Sequence, residues 1–217
     1  LSLPSEMQRA AQAMASLRLG PGQVSIIPGN HDVYVWEAYF RRHFERQFAD
    51  YCRGDDPREG APRFPFVRVR GPVAIIGCST ALPSPPPLAD GWLGRRQLAD
   101  IEQALEGQAG RFRILLIHHP PLPQSLDVLR ALRDRGALLD VLRRAGCELL
   151  LHGHEHRDLR GQVPGRDGPV TVIGVGSGTY RHADPARRAR YNIYHIEDRR
   201  LAFVEQRVYD PAREAFC

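Results

Sequence analysis

Three places in the chain bunch side chains that can ligate a metal or move a proton: Asn30-His31-Asp32, His118-His119, and His152-Gly153-His154-Glu155-His156. They hold six of the nine histidines in 217 residues. Each follows a short apolar run, namely Val24 to Ile27, Ile114 to Ile117, and Leu149 to Leu151. Such runs read as buried strands, and in layered α/β folds ligands gather at the carboxyl ends of strands. One histidine at a strand end is commonly a packed, hydrogen-bonded residue. Three clusters placed alike point instead to convergence on one site. Neutral imidazole and amide oxygen suit Mn, Fe or Zn. His154 and His156 lie two residues apart, so an extended backbone would turn both to one side. That spacing fits two adjacent metals or one metal bound twice. A closed structural zinc site is disfavoured, because it usually recruits thiolates. None of Cys52, Cys78, Cys147 and Cys217 adjoins the clusters.

The elements that must position these groups follow from periodicity and punctuation. Ser5 with Gln8 has the capping-box spacing that opens a helix, and Met7, Ala10, Ala11, Met14 and Leu17 then share one face. Gly20-Pro21-Gly22 ends it. Val35 to Phe48 reads as one helix with Tyr39, Phe40, Phe44 and Phe48 on its apolar side. Arg53 to Pro65 and the proline-rich Pro83 to Pro87 read as loops. Strands are expected at Phe66–Val69 and Val73–Gly77, and helices near Arg95–Leu105 and Leu138–Arg144. Three more strands follow, at Val170–Gly174, Tyr191–Ile196 and Leu201–Val208. Strand–helix alternation giving way to strands alone predicts a mixed α/β fold, two sheets with helices outside.

Bulk composition narrows the function classes. The length suits a single domain with a real core. No apolar run approaches the roughly 18 residues of a membrane helix, and Leu1-Ser2-Leu3-Pro4 lacks the basic start of a signal peptide. The formal charge is +5, with arginine as the only basic type besides histidine. A solvated basic surface or attraction for an anionic substrate both account for that. Nucleic-acid binding would want basic residues interleaved with aromatics, and no such module is present. The four scattered cysteines read as reduced thiols of a cytoplasmic protein. The sequence carries no signal for oligomeric state.

Gly29-Asn30-His31-Asp32, Leu116-Ile117-His118 and Gly153-His154-Glu155-His156 resemble, in this order, the GNH[DE], strand-ending His and GHxH motifs of calcineurin-like metallophosphoesterases. The resemblance spans essentially the whole chain, and His118-His119-Pro120-Pro121 is similar to the cyclic-nucleotide and phosphodiester branch. It implies a layered α/β/β/α sandwich and a centre of two divalent ions (Mn, Fe or Zn). It assigns Asn30, His118 and His154 to one metal and His156 to the other. His31 would stabilise the transition state and protonate the leaving oxygen, with Asp32 orienting its ring. A capping role for Asp32 stays open beside that one. His119 and His152 match no ligand position, which leaves substrate contact or packing for each. Two metals clamping the phosphoryl oxygens around a hydroxide would need no Ser or Cys nucleophile.

The same resemblance exposes a shortage of negative charge. The family's Asp-x-His and GDxx[DN] motifs precede GNH[DE], yet none of the 28 residues before Gly29 resembles either. The implied reading of residues 1–217 is one metallophosphoesterase domain lacking its first strand and both acidic motifs, with Leu1 just past the second. The expectation is a metal-dependent hydrolase of small-molecule phosphoesters, a phosphodiesterase by resemblance with cyclic nucleotides among the candidates. With one metal weakly held and the other absent, this chain alone would show little or no activity. The alternative is a non-catalytic binding module of the same fold.

Overall fold

The computed structural model describes residues 2–56, 60–85, 87–122 and 129–217. The larger sheet is built from β1 (Phe66–Arg70), β2 (Val73–Gly77), β3 (Phe112–Leu116), β4 (Leu149–His152), β5 (Leu159–Pro164) and β6 (Pro169–Gly174). Their order is β1-β2-β3-β4-β6-β5, with β2, β3, β4 and β6 parallel and an antiparallel strand at each edge. The smaller sheet is antiparallel: β7 (Arg190–Glu197), β8 (Arg200–Asp210) and β9 (Ala215–Phe216).

Side-chain alternation along the parallel strands sorts them between two layers. Leu115 and Leu150 face the helix side, where they pack with Leu98, Ile101, Leu105, Leu138 and Leu142. Those residues line the apolar faces of α4 (Gly94–Gly107) and α5 (Arg135–Ala145). Phe112, Ile114 and Leu149 face the other way, against Tyr194, Ile196, Leu201 and Val204 of β7 and β8. Near-continuous apolar runs such as Ile114 to Ile117 are therefore needed, because both faces of the sheet are covered. The result is a helix layer, a six-stranded sheet and a three-stranded sheet, the mixed α/β class expected, but with three layers among the described residues rather than the four of an α/β/β/α sandwich. Met7 of α1 (Pro4–Ala15) and Phe44 of α3 (His43–Gln47) gather separately with Phe48, Cys52 and Phe66 beside β1.

Several elements differ from expectation. Helix α1 opens two residues early: Leu3 is its N-cap, and Glu6 rather than Gln8 closes the box by accepting the Leu3 N–H at 3.0 Å. Residues 24–27 form no strand. They are extended but unladdered, tied by Ile26 N–H to Tyr51 O and by the buried Arg68 guanidinium, which donates to Pro21 and Val24 carbonyls. The expected long helix over Val35–Phe48 is two short ones, α2 (Trp36–Phe40) and α3, because Arg42 takes a left-handed conformation between them. That break points Phe44 and Phe48 inward and leaves Tyr39 and Phe40 exposed. Strand β5 was not foreseen; it is a polar edge strand with one buried residue, Val163. Within the two expected loops, residues 57–59 and Pro86 lie outside the described residues.

One buried ion pair locks the end of the parallel sheet remote from the histidine clusters. Arg113 is 2% exposed and fork-bonded to Glu148 at 2.6 and 3.0 Å, with Ala145 O taking a further N–H. The Glu148 hydrogen bond raises the Arg113 pKa, so the guanidinium stays charged in the core. Removing Glu148 leaves the buried Arg113 charge with only the exposed Asp167, 3.6 Å away, as counter-charge. Glu148→Ala is expected to cost about 3 kcal/mol of stability, read from urea unfolding; a loss under about 1 kcal/mol would contradict this account.

Candidate active site

The segment carrying the first cluster is a single 3₁₀ turn, Asn30–Asp32. Asp32 Oδ2 closes it by accepting the Gly29 N–H at 2.7 Å. Ser2 pins its far side, donating to His31 O and accepting from Tyr34 N–H, both at 2.7 Å. The turn buries Asn30 and leaves His31 exposed, its ring parallel to Tyr34 with centroids 5.8 Å apart. His118 follows β3 and His154 follows β4, on neighbouring parallel strands, so their rings meet at 5.2 Å.

Three atoms able to ligate a metal converge here. His118 Nε2 lies 3.0 Å from Asn30 Oδ1 and 3.3 Å from His154 Nδ1. Ligands about 2.1 Å from one ion stand about 3.0–3.4 Å apart in octahedral or tetrahedral geometry, so these spacings match edges of a coordination shell. Burial, the largest cause in each case, pushes the His118 pKa down to about 3 and that of His154 to about 4. Both rings are then neutral at physiological pH, the form in which imidazole binds metal. The other nitrogen of His154, Nε2, is buried with no hydrogen-bond partner among the described residues. By donor chemistry and by the spacing of Asn30 and His154 from His118, the set suits one divalent cation of borderline softness. The set is short of charge: among the described residues no carboxylate joins the His118–His154 cluster.

The approach of His118 to the turn depends on Gly29. A Cβ there would stand 2.8 Å from His118 Cε1, closer than real Cβ contacts come. The backbone at the third cluster is not extended as its spacing had implied. His154 and His156 both adopt left-handed conformations, with φ of 71° and 52°. Each costs on the order of 1–3 kcal/mol for a non-glycine residue. That strain bends the chain so that His154 turns inward, buried, while His156 stays at the rim.

Asn30, His31, His118, His154 and His156 all line one cavity of about 180 Å³. Asp32 does not line it, and no hydrogen bond links its carboxylate to the His31 imidazole; burial raises its pKa. His119 lies within 4.8 Å of the other two cluster rings but is not free to ligate. Its Nε2–H donates to Ala89 O at 3.1 Å, and its Nδ1 takes the Thr80 hydroxyl at 2.7 Å. His152 does not line the cavity and packs on Gly174. Of the two open roles for these histidines, packing describes both. Two arginines near the C-terminal loop are committed to backbone carbonyls: Arg188 binds those of His182 and Ala183, and Arg190 those of Pro185 and Arg188. A larger cleft of about 600 Å³ shares Pro28 and Val33 with the back of the turn but contains none of the clustered histidines.

Residues that periodicity and motif reading passed over also line the cavity: Tyr34, Leu88, Ala89 and Arg130. Nothing local in the sequence marks them, since their nearness to the histidines is a long-range contact.

The calcineurin-like phosphoesterase family matches residues 2–158, which carry every motif described above. A probable cyclic nucleotide phosphodiesterase of Rhodococcus erythropolis (strain PR4 / NBRC 100887) is 34% identical over 119 residues, covering 50% of this chain and 38% of that protein. A cAMP/cGMP dual specificity phosphodiesterase of Mycobacterium tuberculosis (strain CDC 1551 / Oshkosh) is 33% identical over 111 residues, 46% of this chain and 34% of that protein. The chain thus spans little more than a third of the length of these curated relatives. With most of its length matched and the asparagine and histidines of all three motifs at one cavity, the chain belongs to the calcineurin-like phosphoesterase family.

Proposed function

We propose that this chain supplies the neutral half of a phosphoester-hydrolysing metal centre, in a phosphodiesterase acting on small-molecule phosphoesters such as cyclic nucleotides. The observation that carries the reading is the convergence of Asn30 Oδ1, His118 Nε2 and His154 Nδ1, with His31 at the mouth of the same cavity. Asn30, His118 and His154 would hold one divalent ion (Mn, Fe or Zn), and His156 at the rim would face a second. Such ions, when bound, neutralise charge on the phosphoryl oxygens and act as Lewis acids. His31 is exposed beside them and can carry a proton to the leaving oxygen. Asp32 serves it by closing the turn that aims the ring.

The substrate relation rests on the two relatives' descriptions and on the His118-His119-Pro120-Pro121 stretch. Specific nucleic-acid binding and membrane attachment form no part of the proposal; among the described residues no helix is long and apolar enough to cross a membrane. Three buried, unpaired cysteines suit a cytoplasmic setting.

Titrating the chain with Co²⁺ or Mn²⁺ tests the reading. One equivalent should bind with modest affinity, and His118→Ala should weaken it by about a hundredfold. Absence of any saturable binding would remove the proposal. A second reading, a binding module without catalysis, is favoured by the wholly neutral donor trio. Steady turnover of bis(p-nitrophenyl) phosphate by the metal-loaded chain would exclude that module; metal binding with no turnover above background would favour it.

A further inference from the structure

Among the described residues the histidine cavity is lined by one arginine, Arg130, and by no carboxylate. The other polar groups on its wall are imidazoles, the Asn30 amide and Tyr34. Arg130 is exposed and has no hydrogen-bond or ion-pair partner among the described residues, whereas its neighbour Arg133 is paired with Asp90. A guanidinium that faces a cavity with its donors uncommitted is available to a ligand.

Its backbone, in contrast, is firmly placed. Ala89 N–H donates to Leu129 O at 2.8 Å, Gly91 N–H to Ala131 O at 3.1 Å, and Arg133 N–H to Gly91 O at 2.9 Å. These bonds lace 129–133 beside 89–91 as a short parallel ladder, with a bridge between Gly91 and Leu132. Ala89 O is held in turn by His119 Nε2. The buried second histidine of the His118-His119 pair therefore anchors the ladder that carries Arg130, while the first faces Asn30 and His154. One strand end thereby fixes both walls of the cavity.

We propose that Arg130 is the phosphate-binding residue of this site, donating N–H groups to the non-bridging oxygens of a phosphoester anion seated between it and the Asn30–His118–His154 trio. The proposal rests on the reading of that trio as a metal-holding phosphoester site. A guanidinium presents two parallel donors at the spacing of two phosphoryl oxygens, which an ammonium does not. The side chain then selects an anion over a neutral ester and orients it against the metal side of the cavity.

The test uses the full chain loaded with Mn²⁺, with inorganic phosphate as probe and ³¹P line broadening and calorimetry as readouts. Arg130→Gln should raise the phosphate Kd about tenfold or more while Mn²⁺ affinity stays within about twofold. Arg130→Lys, which keeps the charge but loses the fork, should fall between. Arg187→Gln, outside the cavity, should change nothing. Because Arg130 is exposed, the variants should fold normally, which circular dichroism checks. Phosphate affinity unchanged in Arg130→Gln, or no phosphate uptake by the Mn²⁺-loaded parent chain, overturns the proposal and leaves the metal site standing. Failure to bind Mn²⁺ removes the site reading and the proposal together.

Discussion

Acidifying the metal-free chain from pH 7 is expected to unfold it within about three pH units. The cause is a set of histidines buried in the neutral form. From an ordinary value of about 6.5, burial pushes His118 down to about 3, His119 to about 2 and His154 to about 4, and lowers His152 as well. In the unfolded chain all four regain ordinary values, so below about pH 6.5 the unfolded state binds more protons than the folded one. Their contribution is therefore complete above that pH and is lost as pH falls toward the folded values. Each group removes up to about 1.4 kcal/mol per pH unit, so three together remove about 4 kcal/mol per unit. A typical domain has only about 5–15 kcal/mol in total. Asp32 acts oppositely, because its raised pKa makes the folded state hold its proton longer, and it offsets part of the loss near the acid end. Urea midpoints measured at intervals from pH 7.5 to 5 should fall steeply below about pH 6.5; a flat profile over that range would contradict neutral burial of the cluster.

Gly91→Ala should be among the most damaging single substitutions in the chain. A Cβ at that position would lie 2.3 Å from His119 Nδ1 and 2.5 Å from its Cγ. His119 has no room to yield: it is fully buried and bonded at both ring nitrogens, to Thr80 and Ala89. Overpacking costs about 1–3 kcal/mol, and breaking the ring's hydrogen bonds in the interior adds about 1–3 kcal/mol. The expected sum, about 4 kcal/mol, would lower Tm by roughly 8–16 °C for a chain of this size. Gly136→Ala gives the contrast, since nothing lies within 4 Å of its added Cβ. A His119→Ala change in the Gly91→Ala background should recover part of the loss by relieving the clash. If Gly91→Ala melts within about 2 °C of the parent, the packing described for His119 is wrong.

The elements legible in advance were those whose physics is local or periodic. Helix α4 and helix α5 were visible from apolar spacing, and β3 and β4 from runs that only a sheet covered on both faces would bury. Strand β5 was not legible, because an edge strand with one buried side chain has no hydrophobic pattern to show. The Val24–Ile27 run looked like a strand because it is apolar, yet a strand exists only where a neighbour completes its hydrogen bonds. The split of the Val35–Phe48 helix turned on one residue, Arg42, adopting a conformation that no residue type announces.

By itself the sequence determined the chemistry available here: which donors exist, that they are imidazoles and an amide, and that each cluster follows a short apolar run. Spacing along the chain carries that much, because ligand type is covalent and an apolar run is visible locally; that two of the three runs became strands and the first did not was decided by pairing. Only the tertiary structure decided which donors meet. Parallel pairing of β3 with β4 sets His118 beside His154, and a glycine at 29 admits Asn30 to the same point. It also separated His118 from His119, adjacent in sequence but opposite in use, one facing the cavity and the other bonded into the wall. Arg130 stands next to that wall through hydrogen bonds to a loop some forty residues earlier. No local signal encodes such a contact, because it exists only after the chain has folded.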